Sequence, residues 1–273
     1  MVRQYYTDKI VKLSKRDLKE VLKECKPPIC LIGGWAVHLH VNKGFKEEEG
    51  HEYIGSRDID LGVHVDPDWE PNELKDEAAG KTIQKLEDTG HIRTRFGFKK
   101  QFHRETGKPL TPEEARNRPM HEIFDMFIDL LPDTFDLANF KEAFGFQPPA
   151  ETMLRHVFNG KHSFPLKKEV DWDVSKDISL PTPELLGAMK VKSLPDREKG
   201  HKKVKDLADL YAILWYIKPY KEIRDGIREI ILDRDLEKFE DSIDGQLFNS
   251  AASLLQVDID MIRDQIKRLI KPF

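Results

Sequence analysis

"SRDIDLGVHV", residues 56–65, alternates as a β-strand does: Ile59, Leu61 and Val63 fall on one side, Asp58 and Asp60 on the other. In an extended chain, residues two apart share a face with Cα atoms about 6–7 Å apart, so two carboxylates are presented together while their neighbours enter a core. Like charges held so close repel unless a cation lies between them, and oxygen-rich sites of this kind suit Mg²⁺ or Mn²⁺. The bland reading of Asp-x-Asp is a solvated edge face. The segments on either side decide between the two.

Upstream, the apolar run Ile29-Cys30-Leu31-Ile32 ends at Gly33-Gly34 and gives way to "WAVHLHV" (35–41), whose spacing is helical. Two glycines between a strand and a helix let the backbone approach a ligand closely and leave amide groups at a helix N-terminus, which suits phosphate. A tight turn with no ligand is the alternative, and "GGWAVH" lacks the spacing of a dinucleotide fingerprint. Downstream, "HEIFDMFIDLLPD" (121–133) reads as a strand closed by Pro-Asp, with Asp129 between Ile128 and Leu130. An unpaired charge inside an apolar strand is costly, so Asp129 is expected to be buried against a cation. It completes a three-carboxylate, two-metal site, in which one ion activates the attacking oxygen and the other stabilises the leaving pyrophosphate. Asp125 lies on the same face by period-2 counting and is its rival.

The remaining pattern is mixed α/β, followed by helices. Residues 8–24 carry Ile10, Leu13, Leu18, Val21 and Leu22 at helical spacing, with Pro27-Pro28 as a stop. Residues 42–56 ("NKGFKEEEGHEYIGS") read as a polar loop, and 71–90 as helix. Residues 92–110 read as a strand and part of a hairpin turning at Thr106-Gly107, 111–119 as a surface connection, and 151–166 ("ETMLRHVFNGKHSFPL") as a strand pair. From Pro181 the character changes: Thr182 is a candidate N-cap with Pro183 at the first helical position, and helical segments continue to about residue 270. We therefore expect an α/β (α+β) protein: a mixed sheet flanked by helices over residues 1–175, then a helical domain over 176–273.

Composition narrows the classes. Of 273 residues, 39% are hydrophobic and 34% charged, which fits a globular chain, and the net charge of -4 leaves any nucleic-acid contact to a local basic patch. Both cysteines, Cys25 and Cys30, read as reduced, since a disulfide over so short a loop conflicts with Cys30 lying in a strand. No window approaches the roughly 18 apolar residues of a membrane span. A cytoplasmic protein with no membrane partner is expected.

The order strand, Gly-Gly, helix, Asp-x-Asp on the next strand and a later lone Asp resembles the DNA polymerase β-like nucleotidyltransferase superfamily, here with Gly33, Gly34, Asp58, Asp60 and Asp129. "PTPELLGAMKVKSLPDREKGHKKVKDLADLYAIL" (181–214) resembles the helical motif of AbiEii-type nucleotidyltransferases, the toxin component of type IV abortive-infection systems. Its matching positions are Lys190, Arg197, Lys205, Asp206 and Asp209, and the likeness covers roughly residues 29–215. It implies a nucleotidyltransferase fold, Mg²⁺ (or Mn²⁺), and an NTP substrate whose phosphates meet Gly33, Gly34, Ser56, Lys190 and Arg197. It further implies that Asp206 or Asp209 orients the nucleotide or assists the acceptor, and that Asp129 helps to activate the acceptor hydroxyl.

The long acidic segment before Asp58 and the extra residues between Arg197 and Lys205 depart from the pattern and leave the acceptor open: tRNA or another RNA, a protein, or a small molecule. An antitoxin protein is a candidate partner. An antibiotic-type small-molecule nucleotidyltransferase would use the acidic "KEEEGHE" (46–52) against a cationic acceptor, whereas an RNA acceptor would use the basic "DREKGHKKVK" (196–205). The alternative from another class is a non-catalytic binding module that keeps the fold. His38 and His40 read as ordinary surface or packed histidines, and Trp35, Trp215 and Tyr216 as packing residues. His64 reads as a strand-end residue or as part of the cleft lining.

Overall fold

The computed structural model describes residues 2–271. In chain order the elements are α1 (Asp8–Glu24), β1 (Ile29–Ile32), α2 (Gly33–Glu49), β2 (Ile59–Val63), α3 (Pro71–Asp76), α4 (Ala78–Asp88), β3 (Ile92–Arg93), β4 (Gly97–His103) and β5 (Pro109–Leu110). Then come α5 (Pro112–Arg116), β6 (Ile123–Pro132), α6 (Ala138–Phe144), α7 (Arg155–Phe158), β7 (Ser163–Pro165) and β8 (Ile178–Pro181). The C-terminal helices are α8 (Pro183–Ser193), α9 (Gly200–Tyr216), α10 (Tyr220–Ile230), α11 (Asp233–Ser242), α12 (Gly245–Leu255) and α13 (Ile259–Ile270). The class is the expected one, a mixed sheet with flanking helices followed by C-terminal helices. The chain divides into two compact units that interleave in sequence, one made of residues 8–33 and 56–180, the other of 2–7, 34–55 and 181–271.

The first unit is built on an eight-stranded sheet of order β3-β4-β6-β2-β1-β8-β7, with β5 paired to β4. β2 runs parallel to β6 and antiparallel to β1, while β4 is antiparallel to β6. β6 shows why the sheet has two distinct faces: its ten residues alternate strictly between half-buried and buried, with Phe124, Met126, Ile128 and Leu130 on the buried side. α1 packs on that buried side, where Arg16 lies over the Phe102 ring at 5.9 Å and Asp17 pairs with Lys100 at 3.7 Å. The buried face supplies the hydrophobic drive for folding, which leaves the other face available for polar groups.

Two local expectations are corrected here. Residues 151–166 hold a 3-10 turn (Thr152–Leu154) and α7 ahead of the short strand β7. The Glu151 carboxylate accepts from Met153 N at 3.1 Å and starts the turn, and Arg155 donates to Asp133 O at 2.9 Å. The surface connection at 111–119 contains α5, opened by a capping box in which Thr111 Oγ1 accepts from Glu114 N and the Glu114 carboxylate accepts from Thr111 N.

In the second unit the loop expected at 42–56 is instead helix as far as Glu49, since α2 runs unbroken through Gly44. A β-carbon at Gly44 would collide with the backbone carbonyl of Tyr216, so glycine lets the helix pack against the end of α9, and this close packing overrides its poor helix propensity. Tyr216 also donates to Glu49 at 2.7 Å, and Trp215 donates to Glu48 at 2.9 Å. Two of the three glutamates of the acidic stretch are therefore tied to α9. Trp35, Val37, Val41 and Phe45 of α2 are buried, as are most side chains of α9. Cys25 and Cys30, in the sheet unit, are buried free thiols. No helix among the described residues is long and apolar enough to cross a membrane.

Candidate active site

Strand register fixes the central pair. Asp60 of β2 and Asp129 of β6 are direct Cα partners in the parallel ladder, so their side chains leave the same face, about 4.8 Å apart at the usual strand spacing. Both are half-buried, on the face opposite Ile128 and Leu130. Asp129, between two apolar neighbours, was expected to be buried against a cation. The structure places it on the partly open side, because period-2 alternation sends its apolar neighbours inward and the carboxylate outward. Two adjacent carboxylates at one height on a sheet form a concentrated negative site that a divalent cation would neutralise.

The backbone around this pair is shaped by glycine. Gly33 follows β1 with φ +66°, and a β-carbon there would overlap the Asp60 carboxylate. The Asp60 side chain thus rests on bare backbone, in a cradle that any other residue would fill. On the other flank, Gly97 of β4 is the register partner of Asp129, and a β-carbon there would meet the Ile128 carbonyl. Gly33→Ala is expected to cost about 1–2 kcal/mol for the left-handed backbone conformation. It would also push the flexible Asp60 carboxylate aside. If Asp60 is a catalytic group, turnover should fall roughly a hundredfold for a misplacement of about 1 Å, more than the stability loss alone would cause. Urea denaturation and turnover assays on the same preparation check this, and an alanine variant with wild-type turnover would contradict it.

The other predicted carboxylates differ in their surroundings. Asp58 stands two residues ahead of Asp60, just outside β2, with its side chain 18% exposed and Oδ1 3.7 Å from Arg57 Nε. Asp125 shares the face of Asp129, but its Oδ1 accepts from Gln101 Nε2 at 2.8 Å and lies 3.5 Å from Lys99 Nζ. Both partners belong to β4 and tie Asp125 to that strand. Ser56 is buried ahead of β2, and Gly34 is buried in the first turn of α2. Among the described residues no group of three or more His, Cys, Asp or Glu side chains is gathered to hold a metal ion. The part of the expected set that register brings together is the pair Asp60–Asp129, and two carboxylates completed by phosphate oxygens and water are a usual Mg²⁺ set.

No family model and no curated protein matches the chain. Among solved structures, it is similar to an antigenic nucleotidyltransferase-like protein from Paracoccidioides brasiliensis, at 14% identity and a TM-score of 0.37, over 87% of this chain and 94% of that one. So distant a likeness assigns no residue, and the site stands on its own geometry.

The helical motif forms a buried ionic cluster within the second unit. Lys190 of α8 pairs with Asp206 and, at 2.8 Å, with Asp209, while Arg197 pairs with Asp206 and Lys205 with Asp209. The Tyr53 hydroxyl donates to Asp209 at 2.8 Å. Residues 206 and 209 lie on one helix face, so both carboxylates reach the same lysine. Burial disfavours the charged amine of Lys190, but Asp206 and Asp209 outweigh it and hold its pKa above the usual lysine range. Lys205 shows the opposite balance: burial outweighs Asp209 and pulls its pKa down. Burial raises the Asp206 carboxyl, yet Lys190 and Arg197 bring it below the ordinary value. Sequence reasoning placed these residues by resemblance. Their mutual pairing was not part of that expectation.

The histidines have assigned partners. His38 Nδ1 contacts the Tyr53 carbonyl and His40 Nε2 the Pro181 carbonyl, each at 3.0 Å, as packing residues do. His64, at the end of β2, bonds through Nδ1 to the buried Asp133 at 2.7 Å, and Asp133 also accepts from Val65 N at 2.9 Å. The hydrogen bond to Asp133 raises the His64 pKa above its ordinary value of 6.5. A group whose folded pKa is raised gives stability that is complete below the unfolded pKa and is lost as pH rises through the folded one. Stability should therefore fall as pH rises above about 6.5. With the imidazole 40% exposed, the change should stay under about 1 kcal/mol. Asp133→Asn should flatten that slope in denaturation curves at several pH values, and an unchanged slope would show another group to be responsible.

Proposed function

We propose that the protein is a metal-dependent nucleotidyltransferase, which moves an NMP group from an NTP to an acceptor hydroxyl and releases pyrophosphate. One observation carries this reading: the Asp60–Asp129 register pair on the half-buried sheet face, with the Asp60 carboxylate seated on Gly33. Asp60 and Asp129 would hold Mg²⁺ or Mn²⁺, with Asp58 two residues away on the approach to β2. When bound, the ion supplies positive charge to the phosphate oxygens and acts as a Lewis acid. In the transfer, the acceptor oxygen forms a bond to the α-phosphorus and the bond from that phosphorus to the bridging oxygen of pyrophosphate breaks. Asp129 takes the hydroxyl proton, and the rigid ladder fixes both carboxylates in place while this happens.

The resemblance of residues 181–214 to the AbiEii-type motif extends the proposal to a toxin that acts on tRNA or another RNA and is held in check by an antitoxin protein. The test is incubation of the full chain with each α-phosphate-labelled NTP, Mg²⁺ and total RNA. Label is expected in RNA, and its appearance in protein or an added small molecule would name a different acceptor. Absence of transfer to any of these, together with absence of NTP binding, would overturn the reading in favour of a non-catalytic module.

A further inference from the structure

Within the helical unit, the end of α9, the start of α10 and the last turns of α13 enclose an open cleft of about 550 Å³. Its lining includes four cations, Lys218, Lys221, Arg224 and Arg268, and no carboxylate. Two aromatic rings join them: Trp215 and Tyr220 lie parallel, with centroids 5.6 Å apart and planes 5° apart, and Lys218 Nζ stands 5.7 Å from the Tyr220 ring. The helical pattern assigned Trp215 to packing. In the structure it is half-buried and forms one side of this platform.

Nearby acids neutralise part of the charge. Asp225 pairs with Lys221 at 2.7 Å and lies 3.7 Å from Arg224 Nε, Asp264 lies 3.4 Å from Arg268, and Glu48 accepts from the Trp215 indole. Lys218 has no carboxylate partner among the described residues. The cleft therefore retains positive charge, and Arg224 Nε is buried there with no hydrogen-bond partner. A ring inserted between Trp215 and Tyr220 would need two contacts of roughly 3.5 Å each, more than their spacing allows, so a base would lie on the outer side of the pair.

We infer that this cleft binds single-stranded nucleic acid, with a base stacked on the Trp215–Tyr220 platform and the adjoining phosphates against Lys218, Lys221, Arg224 and Arg268. Stacking on an aromatic face combined with a cationic track is how unpaired strands are held without sequence readout. A flat two-ring platform suits a base and the cations beside it suit the adjoining phosphates, whereas a simple anion would leave the rings unused. The inference goes beyond the transferase reading and does not depend on it, since every residue named here is distinct from the Asp60–Asp129 pair.

The test is fluorescence anisotropy of the full chain with a labelled short single-stranded oligonucleotide, as RNA and as DNA in separate arms, at several salt concentrations. Binding of either supports the inference, and the tighter arm names the source. Tyr220→Ala is expected to weaken binding roughly 5- to 100-fold. The double variant Lys218→Glu with Arg268→Glu, at two exposed positions, is expected to weaken it by more than about tenfold and to reduce the salt dependence, with a parallel urea curve confirming that the variant is folded. Asp60→Asn should bind as the wild type does, so failure of the transferase reading stays separate. Three results would overturn the inference: no binding of either strand at low salt, variants within twofold of wild type, or equal displacement by inorganic tripolyphosphate combined with no effect of Tyr220→Ala.

Discussion

On the proposed transferase reading, Asp60→Asn is expected to lower kcat/KM for nucleotidyl transfer by roughly a thousandfold while leaving the protein about as stable as the wild type. Asparagine keeps the shape and the ability to accept a hydrogen bond but removes the charge. That charge is half of the negative pair presented by the β2–β6 ladder, and on the proposed reading a divalent cation would lose a principal ligand with it. Loss of several kcal/mol of transition-state stabilisation corresponds to about three powers of ten in rate. Stability should change little, because Asp60 is half-buried and asparagine fills the same space. Asp129→Asn should behave alike. Asp125→Asn should have a smaller effect, since Gln101 and Lys99 already engage that carboxylate. Single-turnover assays with parallel urea curves check all three variants. More than a tenth of wild-type activity in Asp60→Asn would remove the pair from the mechanism.

The second large effect falls on stability. Lys190→Met should destabilise the protein by about 3 kcal/mol, the lower end of the range for breaking a buried ion pair. The upper end is not expected because each carboxylate keeps another partner: Arg197 remains on Asp206, and Lys205 with Tyr53 remains on Asp209. Adding Asp206→Asn to Lys190→Met should recover part of the loss, since the interaction belongs to the pair and the two single effects are not additive. Thermal or urea unfolding of both singles and the double forms the cycle. A Lys190→Met protein within 1 kcal/mol of wild type would mean that the amine is not what holds the two aspartates.

Much of the sheet unit was legible because its strands obey a period of two. In β6 the alternation is complete, so the face of Asp129 followed from counting, and the register with β2 then set it beside Asp60. What counting did not yield was depth: the same alternation that buries Ile128 leaves Asp129 half-open, and an apolar flank is not evidence of burial for the residue between. α2 was cut short at residue 41 because Asn42, Gly44 and three glutamates look like a loop. The helix persists because Tyr216 and Trp215, more than 160 positions later, receive its last turns, and no local window contains that information. α5 was also missed, although its signal is local: Thr111-x-x-Glu114 is a capping signature. The ionic cluster lay between these cases: its residues were visible at their spacing, but that they pair with each other depends on how α8 packs against α9.

The interleaving of the two units has a consequence for synthesis. By residue 180 the ribosome has delivered every segment of the sheet unit, whereas α2, emerging among the first 50 residues, belongs to a unit whose remaining helices begin after residue 181. Trp35, Val37, Val41 and Phe45 therefore wait for the rest of their unit while about 130 further residues are translated, roughly 6–26 seconds at about 5–20 residues per second. No single cut in the sequence separates the two units, so a fragment ending near residue 180 would carry α2 without the remaining helices of its own unit.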